Sequence, residues 1–346
     1  MRRSDRKCGI QCALAVLSLL IALIFGTQCA RIPCPSGDPD CSVAGLAALA
    51  SIVNRSVYIV GTNDGQLAFS QDDGQSWSIV NLGNINFVGY GAGEASGVYF
   101  VFGDNGGGSG SFYTSTDLLQ WSGPFNLAGT GPLTFGDTDG LSMYAIEGGT
   151  SKLFQLHGDG TNTNVTTYGG TPAGITLFEY YDNLWFLGDT SPDPVLSYGV
   201  APLALGSPSV STPTDQVSGI VRIANNYFAI GSGAVEAFVT NSGSLDDWTP
   251  YAPGFFVNAI CDNGQIAWAA GTLGMAYPVT DGQTYGSGIN TGTANDLSDV
   301  ACGGSTFIFI PTVSADWPIS RDSGASWQLI PNPMPVTIPQ FIQRFP

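Results

Sequence analysis

The chain has 346 residues, of which 47 are glycine and only 11% are charged, and its formal net charge is −17. Many glycines, few charges and 43% hydrophobic residues suit an all-β protein with many tight turns and exclude a disordered chain. Beyond Cys41 only Arg55, Lys152, Arg222, Arg321 and Arg344 are basic, against 24 acids (27 less Asp5, Asp38 and Asp40), a local net charge of −19; no basic patch for nucleic acid can be built, and an anionic membrane would repel this part of the chain.

Arg2, Arg3, Arg6 and Lys7 precede an apolar run from Ala13 to Phe25 that only Ser18 interrupts. Thirteen residues suit the core of an export signal and fall short of the ~20 needed to span a bilayer. Gly26-Thr27-Gln28-Cys29 then resembles a loose bacterial lipobox, in which Cys29 would be lipidated and anchor the protein in the cell envelope. Cleavage nearby without a lipid and an uncleaved anchor are the alternatives. Residues 1–28 are thus read as signal peptide and 29–42, rich in Pro, Gly and Asp, as tether. With Cys29 lipidated, Cys34, Cys41, Cys261 and Cys302 remain, an even set compatible with two disulfides in an exported chain. Cys34 and Cys41 would close a small loop. Cys261 and Cys302, aligned on the turns that follow them, take the same place in adjacent repeats, either as a disulfide between them or as two buried free thiols.

From residue 43 an apolar, aromatic run ending in Gly recurs at Gly61, Gly103, Gly148, Gly188, Gly231 and Gly271, with a seventh copy ending at Pro311. Each copy is framed by short strands and turns. Four short strands in about forty residues is the plan of a propeller blade. Residues 43–331 are therefore predicted to form a seven-bladed β-propeller, followed by a C-terminal tail over 332–346. The apolar second strands fit positions covered on both faces by neighbouring blades.

Two copies carry S-x-D-x-G-x-x-W: Ser70, Asp72, Gly74 and Trp77, and Ser320, Asp322, Gly324 and Trp327. Partial copies occur at Ser115-Thr116-Asp117 with Trp121, over 241–248, and from Thr280 to Tyr285. At these positions the chain resembles the Asp-box, or sialidase-like, propeller superfamily. The resemblance implies that these residues are structural, lying at the blade periphery. Ser and Asp would bond the backbone of the turn, Gly would take a conformation that Cβ obstructs, and Trp would pack beneath it.

The same resemblance brings sialidase activity into question, and the residues argue against it. That chemistry needs three arginines around one carboxylate, and only Arg55, Arg222, Arg321 and Arg344 lie in or beyond the ring. Arg31-Ile32-Pro33 echoes a family motif but lies in the tether. Other superfamily members hydrolyse glucans with two carboxylates or serve as assembly factors and sorting receptors, and the many acids here select no pair. The single His157 cannot supply a two-histidine metal site, and the run from Gly106 to Gly110 lacks the Lys of a phosphate loop. Ca²⁺ could be wrapped by alternating oxygens at Asp137 and Asp139, or at Asp159, although such strings are also ordinary turns. No cofactor is otherwise expected.

Counting back from Asp182 and Asn225 places Glu179 and Arg222 at one position of adjacent innermost strands, where they would form an ion pair in the channel. The expected function is an exported, non-catalytic binding or scaffold propeller for a protein or glycan ligand. The alternative is a glycan hydrolase using carboxylates at the propeller mouth.

Overall fold

The computed structural model describes residues 56–345 apart from 151, 168–173, 190–194, 206–216, 232–236, 241–243 and 246. The signal, the tether with Cys29, Cys34 and Cys41, and the predicted start of the ring lie outside the described residues.

The described chain is all β, with one helical turn at Thr272–Gly274. Seven separate antiparallel sheets follow one another, six of four strands and the fourth with three described strands. They are the blades of a propeller. The innermost strands of blades two to seven are Val88–Ala95, Leu133–Thr138, Ile175–Tyr181, Val217–Ile223, Val257–Asp262 and Leu297–Gly303.

Blade one departs from the expected boundaries. Its innermost strand is Pro339–Phe345, which pairs with Val57–Thr62 in the register Val57↔Phe345, Ile59↔Gln343 and Gly61↔Phe341. The segment predicted as a tail thus closes the ring. The physical reason is burial: every residue of Val57–Thr62 is covered, and Phe341, Ile342 and Phe345 bury against that strand's inner side.

Packing follows strand order. Second strands are wholly buried in blades one, six and seven, whereas the outer strands Ser78–Asn81 and Ser122–Asn126 are largely exposed. The seven marker residues sit at or just past one end of the second strands, opposite a bulge early in each innermost strand: Gly103, Gly231, Gly271 and Pro311 are equivalent, Gly61 and Gly188 lie one residue before that position and Gly148 one after it. Glycine suits this end because a Cβ on Gly103 would meet the carbonyl of Val88, and one on Gly61 the ring of Phe341.

The hydrophobic core is divided into seven clusters, one per junction between consecutive blades. Ile59, Phe69, Phe87 and Val101 join blades one and two; Tyr58, Ile308, Trp317 and Ile342 join blades seven and one. At about 25 cal/mol per Å² of apolar surface buried, these junctions are the main favourable term holding the ring together.

Candidate functional site

Two sets of polar residues recur around the ring, one at the rim and one on the channel wall. At the rim, the turn after Gln66–Ser70 is built from its own side chains. Ser70 Oγ donates to Asp72 Oδ1 (2.8 Å) and accepts from the Gly74 amide (2.9 Å). Asp72 Oδ1 accepts from the Ser76 amide (2.9 Å). The turn at Ser320, Asp322 and Gly324 repeats this, with 2.8 Å from the Gly324 amide to Ser320 Oγ and 2.8 Å from the Ser326 amide to Asp322 Oδ1.

Gly74 and Gly324 hold positive φ, 74° and 88°. A Cβ on Gly324 would strike the indole of Trp268 in the preceding blade. Each tryptophan also leans on the preceding blade: Trp77 meets Trp317 edge-on at 5.0 Å, and Trp327 meets Trp268 at 5.3 Å. Arg321 donates to the Gly74 carbonyl (2.8 Å), tying the two turns together. Ser115 and Asp117 form the same kind of turn, and Trp121 caps the Leu118 carbonyl at 2.9 Å.

The channel wall is the candidate site. It encloses a cavity of about 700 Å³ whose lining carries Glu94, Asp137, Glu179, Asp262 and Asp299, with Arg344 the one basic residue. An innermost strand has a sheet neighbour on one side only, so its other edge presents unpaired backbone groups. Side chains from the adjoining blade meet them. Gln343 Oε1 accepts from the Ala92 amide (3.1 Å), Asp137 Oδ2 from Tyr180 (2.9 Å) and Asp299 Oδ2 from Ile342 (2.9 Å). Glu179 accepts from the Ile220 amide. Between blades two and three the hydroxyl of Thr138 donates to the Glu94 carbonyl (2.9 Å). Between blades six and seven the fastener is covalent, a Cys261–Cys302 disulfide with Cα atoms 5.8 Å apart.

Burial pushes these carboxyls up, against the amides that bond them: Asp137 to about 7 and Asp299 to about 6. Glu179 is raised well above the usual range by burial and by the charges of Asp137, Asp262 and Asp299. Burial also raises Asp262, whose Oδ2 accepts from the hydroxyl of Tyr181 at 2.7 Å. At the rim the direction reverses. Hydrogen bonds from Ser326 and Ser320 pull Asp322 down to about 2.

The expected Glu179–Arg222 pair does not form. Arg222 binds Asp182 instead, Nη1 to Oδ2 at 2.5 Å, and its guanidinium lies 5.2 Å from the ring of Tyr227. The turns explain the slip. Blade four turns at Asp182-Asn183 and blade five at Ala224-Asn225, so Glu179 is equivalent to Val221 and Arg222 to Tyr180. An error of one residue moves a side chain to the opposite face of a strand. The same slip affects the cysteines: Cys261 faces forward from blade six, Cys302 lies one position further along and faces back.

The calcium candidates have other duties. Asp137 bonds Thr138 and Tyr180, Asp139 Oδ1 accepts from the amides of Leu141 and Ser142, and Asp159 Oδ1 binds Thr161. Asp137 faces the channel while Asp139 and Asp159 cap their own turns. Among the described residues no three His, Cys, Asp or Glu side chains gather where they could hold a metal ion. Sequence reasoning missed Asp299, Asp262 and Gln343; Asp137, Glu179, Asp299 and Gln343 occupy alternate positions after the bulges of their strands, visible only once the register is known, whereas Asp262 lies one position off that alternation.

No family model matches the chain, and no curated protein matches it. Solved structures do. A structure titled YCF48 bound to D1 peptide is 13% identical, covers 75% of this chain and 88% of its own, and superposes with a TM-score of 0.59. Apo AztD from Citrobacter koseri is 10% identical over 84% of this chain and 98% of its own, with a TM-score of 0.58. A putative 6-phosphogluconolactonase from Bacteroides fragilis is 12% identical over 85% and 98%, with a TM-score of 0.60. At these identities the likeness is one of fold alone, the seven-bladed propeller.

Proposed function

We propose that the chain is an exported Asp-box propeller, anchored through Cys29, that binds a polypeptide partner at its channel mouth and performs no catalysis. The observation that carries this reading is the engagement of the channel acids. A glycan hydrolase needs two carboxyls free to exchange protons with substrate and water. Here Asp137, Glu179 and Asp299 each accept a backbone amide of the adjoining blade, which makes them fasteners of the fold. A peptide-bound propeller of the same fold supports a polypeptide as the ligand class. The turns at Ser70–Trp77 and Ser320–Trp327 support the superfamily assignment.

One observation favours the hydrolase reading. Asp137, held near 7, has the proton affinity of a general acid at neutral pH. The two readings separate in one experiment. The purified processed protein is offered a panel of soluble glycans, and in parallel is used to capture peptides from a library. Peptide capture without glycan cleavage supports binding; cleavage that disappears in Asp137→Asn overturns it. Intact mass of the cell-derived protein tests the anchor: a chain starting at a lipid-modified Cys29 is expected, and an unmodified N-terminus would refute it.

A further inference from the structure

Besides Asp262, which accepts from the Arg222 amide of blade five, three carboxyls fasten blade junctions at the channel: Asp137 between blades three and four, Glu179 between four and five, Asp299 between seven and one. All three line one cavity. The charged and titratable groups around them offer almost no compensation. Asp137 is flanked by Glu94 of blade two, Tyr144 of its own sheet, and Glu179, Tyr180 and Tyr181 of blade four. Glu179 faces Asp137 on one side and Asp262 and Asp299 across the channel, while the guanidinium of blade five, Arg222, is turned away onto Asp182. Asp299 lies between Asp262 of blade six and the strand bearing Arg344, whose Nε is given to Ser56 at 2.9 Å. Asp139 adds a further acid to the cavity lining.

A single ionised carboxyl in such a place is well served, because the backbone amide it accepts from stabilises an anion. At Glu179 the charges of Asp137, Asp262 and Asp299 add to burial in opposing ionisation. Glu179 therefore does not titrate independently of Asp137 and Asp299.

We propose that Asp137, Glu179 and Asp299 form a pH-sensitive latch of the propeller, closed when the carboxyls share protons and loosened, at the junctions they bridge, when all three ionise. The proton affinities agree in sign. Each group is raised in the folded state. The stabilising effect is fully present below the unfolded value near 4 and, for Asp137 and Asp299, is lost as pH rises through about 6 to 7. This direction opposes ordinary acid denaturation. The inference rests on the channel geometry and does not depend on the ligand.

The test is thermal unfolding of the purified protein from pH 5 to pH 8 at constant ionic strength. The melting temperature is expected to fall by about 5 °C across that range. The triple variant Asp137→Asn, Glu179→Gln, Asp299→Asn keeps an acceptor oxygen at each junction and removes the charge; its slope should be half the original or less. Asp316→Asn, an exposed acid outside the channel, should leave the slope unchanged. If the triple variant does not fold, amide exchange in the unmodified protein decides. Protection of Tyr180, Ile220 and Ile342, corrected for intrinsic rates, should be lower at pH 8 than at pH 5. A melting temperature that is level or rises towards pH 8, a slope unchanged in the triple variant, or equal protection of the three amides would each overturn the latch.

Discussion

The rim and the channel wall use the same residue types to opposite ends. At the rim, Asp72 and Asp322 bond amides and hydroxyls within four positions of themselves. Burial alone would raise Asp72, but hydrogen bonds from Ser76, Ser70 and Gln75 outweigh it and hold the group below the usual range. On the wall, Asp137 and Asp299 bond amides 43 positions away, and burial pushes both up. A turn that satisfies itself can be copied from blade to blade, because each copy solves one local problem. A junction depends on what the neighbouring blade presents, so each is solved separately: an amide in one, carboxyls in four, a hydroxyl in another, a disulfide in another.

This contrast can be broken in order of expected effect. Removing residues 339–346 strips the innermost strand from blade one and uncovers Val57–Thr62; the truncated chain is expected to lose its cooperative thermal transition altogether, as read by circular dichroism. Trp327→Ala comes next. It deletes a ring packed on Phe309 of its own blade and, across the junction, on Trp268, and should cost about 3 kcal/mol in denaturant unfolding. Ser320→Ala removes the buried acceptor of the Gly324 amide and should cost about 1–2 kcal/mol; a neutral result would mean that the turn holds without its first residue. Arg222→Ala should change stability by less than about 1 kcal/mol, because its partner Asp182 is 30% exposed and water screens the pair. A loss of several kcal/mol there would show that the arginine carries more of the wall than its exposed contact with Asp182 explains.

The same contrast explains what could be read from the sequence. Ser70–Trp77 and Ser320–Trp327 were legible because their bonds close within the motif. The second strands were legible because burial on both faces leaves an unbroken apolar run such as Thr306–Pro311. The wall was only half legible. Glu179 was placed on an innermost strand, but its partner is the Ile220 amide, a backbone group that no side-chain pattern announces. The assignment of Arg222 failed by one residue because Asn225 was matched to Asp182, when the first turn residue of blade five is Ala224. Pro339–Phe345 escaped notice because its strand partner lies some 280 positions earlier, so no hairpin signal could mark it.

That pairing also sets an order of events. Val57–Thr62 is among the first ring strands made, and its inner partner is the last. Six blades can form as the chain emerges, each from consecutive strands, while blade one waits with an open edge. Bringing its two ends together costs about 4 kcal/mol more in chain entropy than closing a four-residue hairpin. The nascent propeller therefore carries an unprotected β edge until synthesis has passed residue 345, and that interval is when it is most exposed to pairing with another chain. A circularly permuted gene, opened between blades two and three, would make the two strands neighbours in time as well as in space.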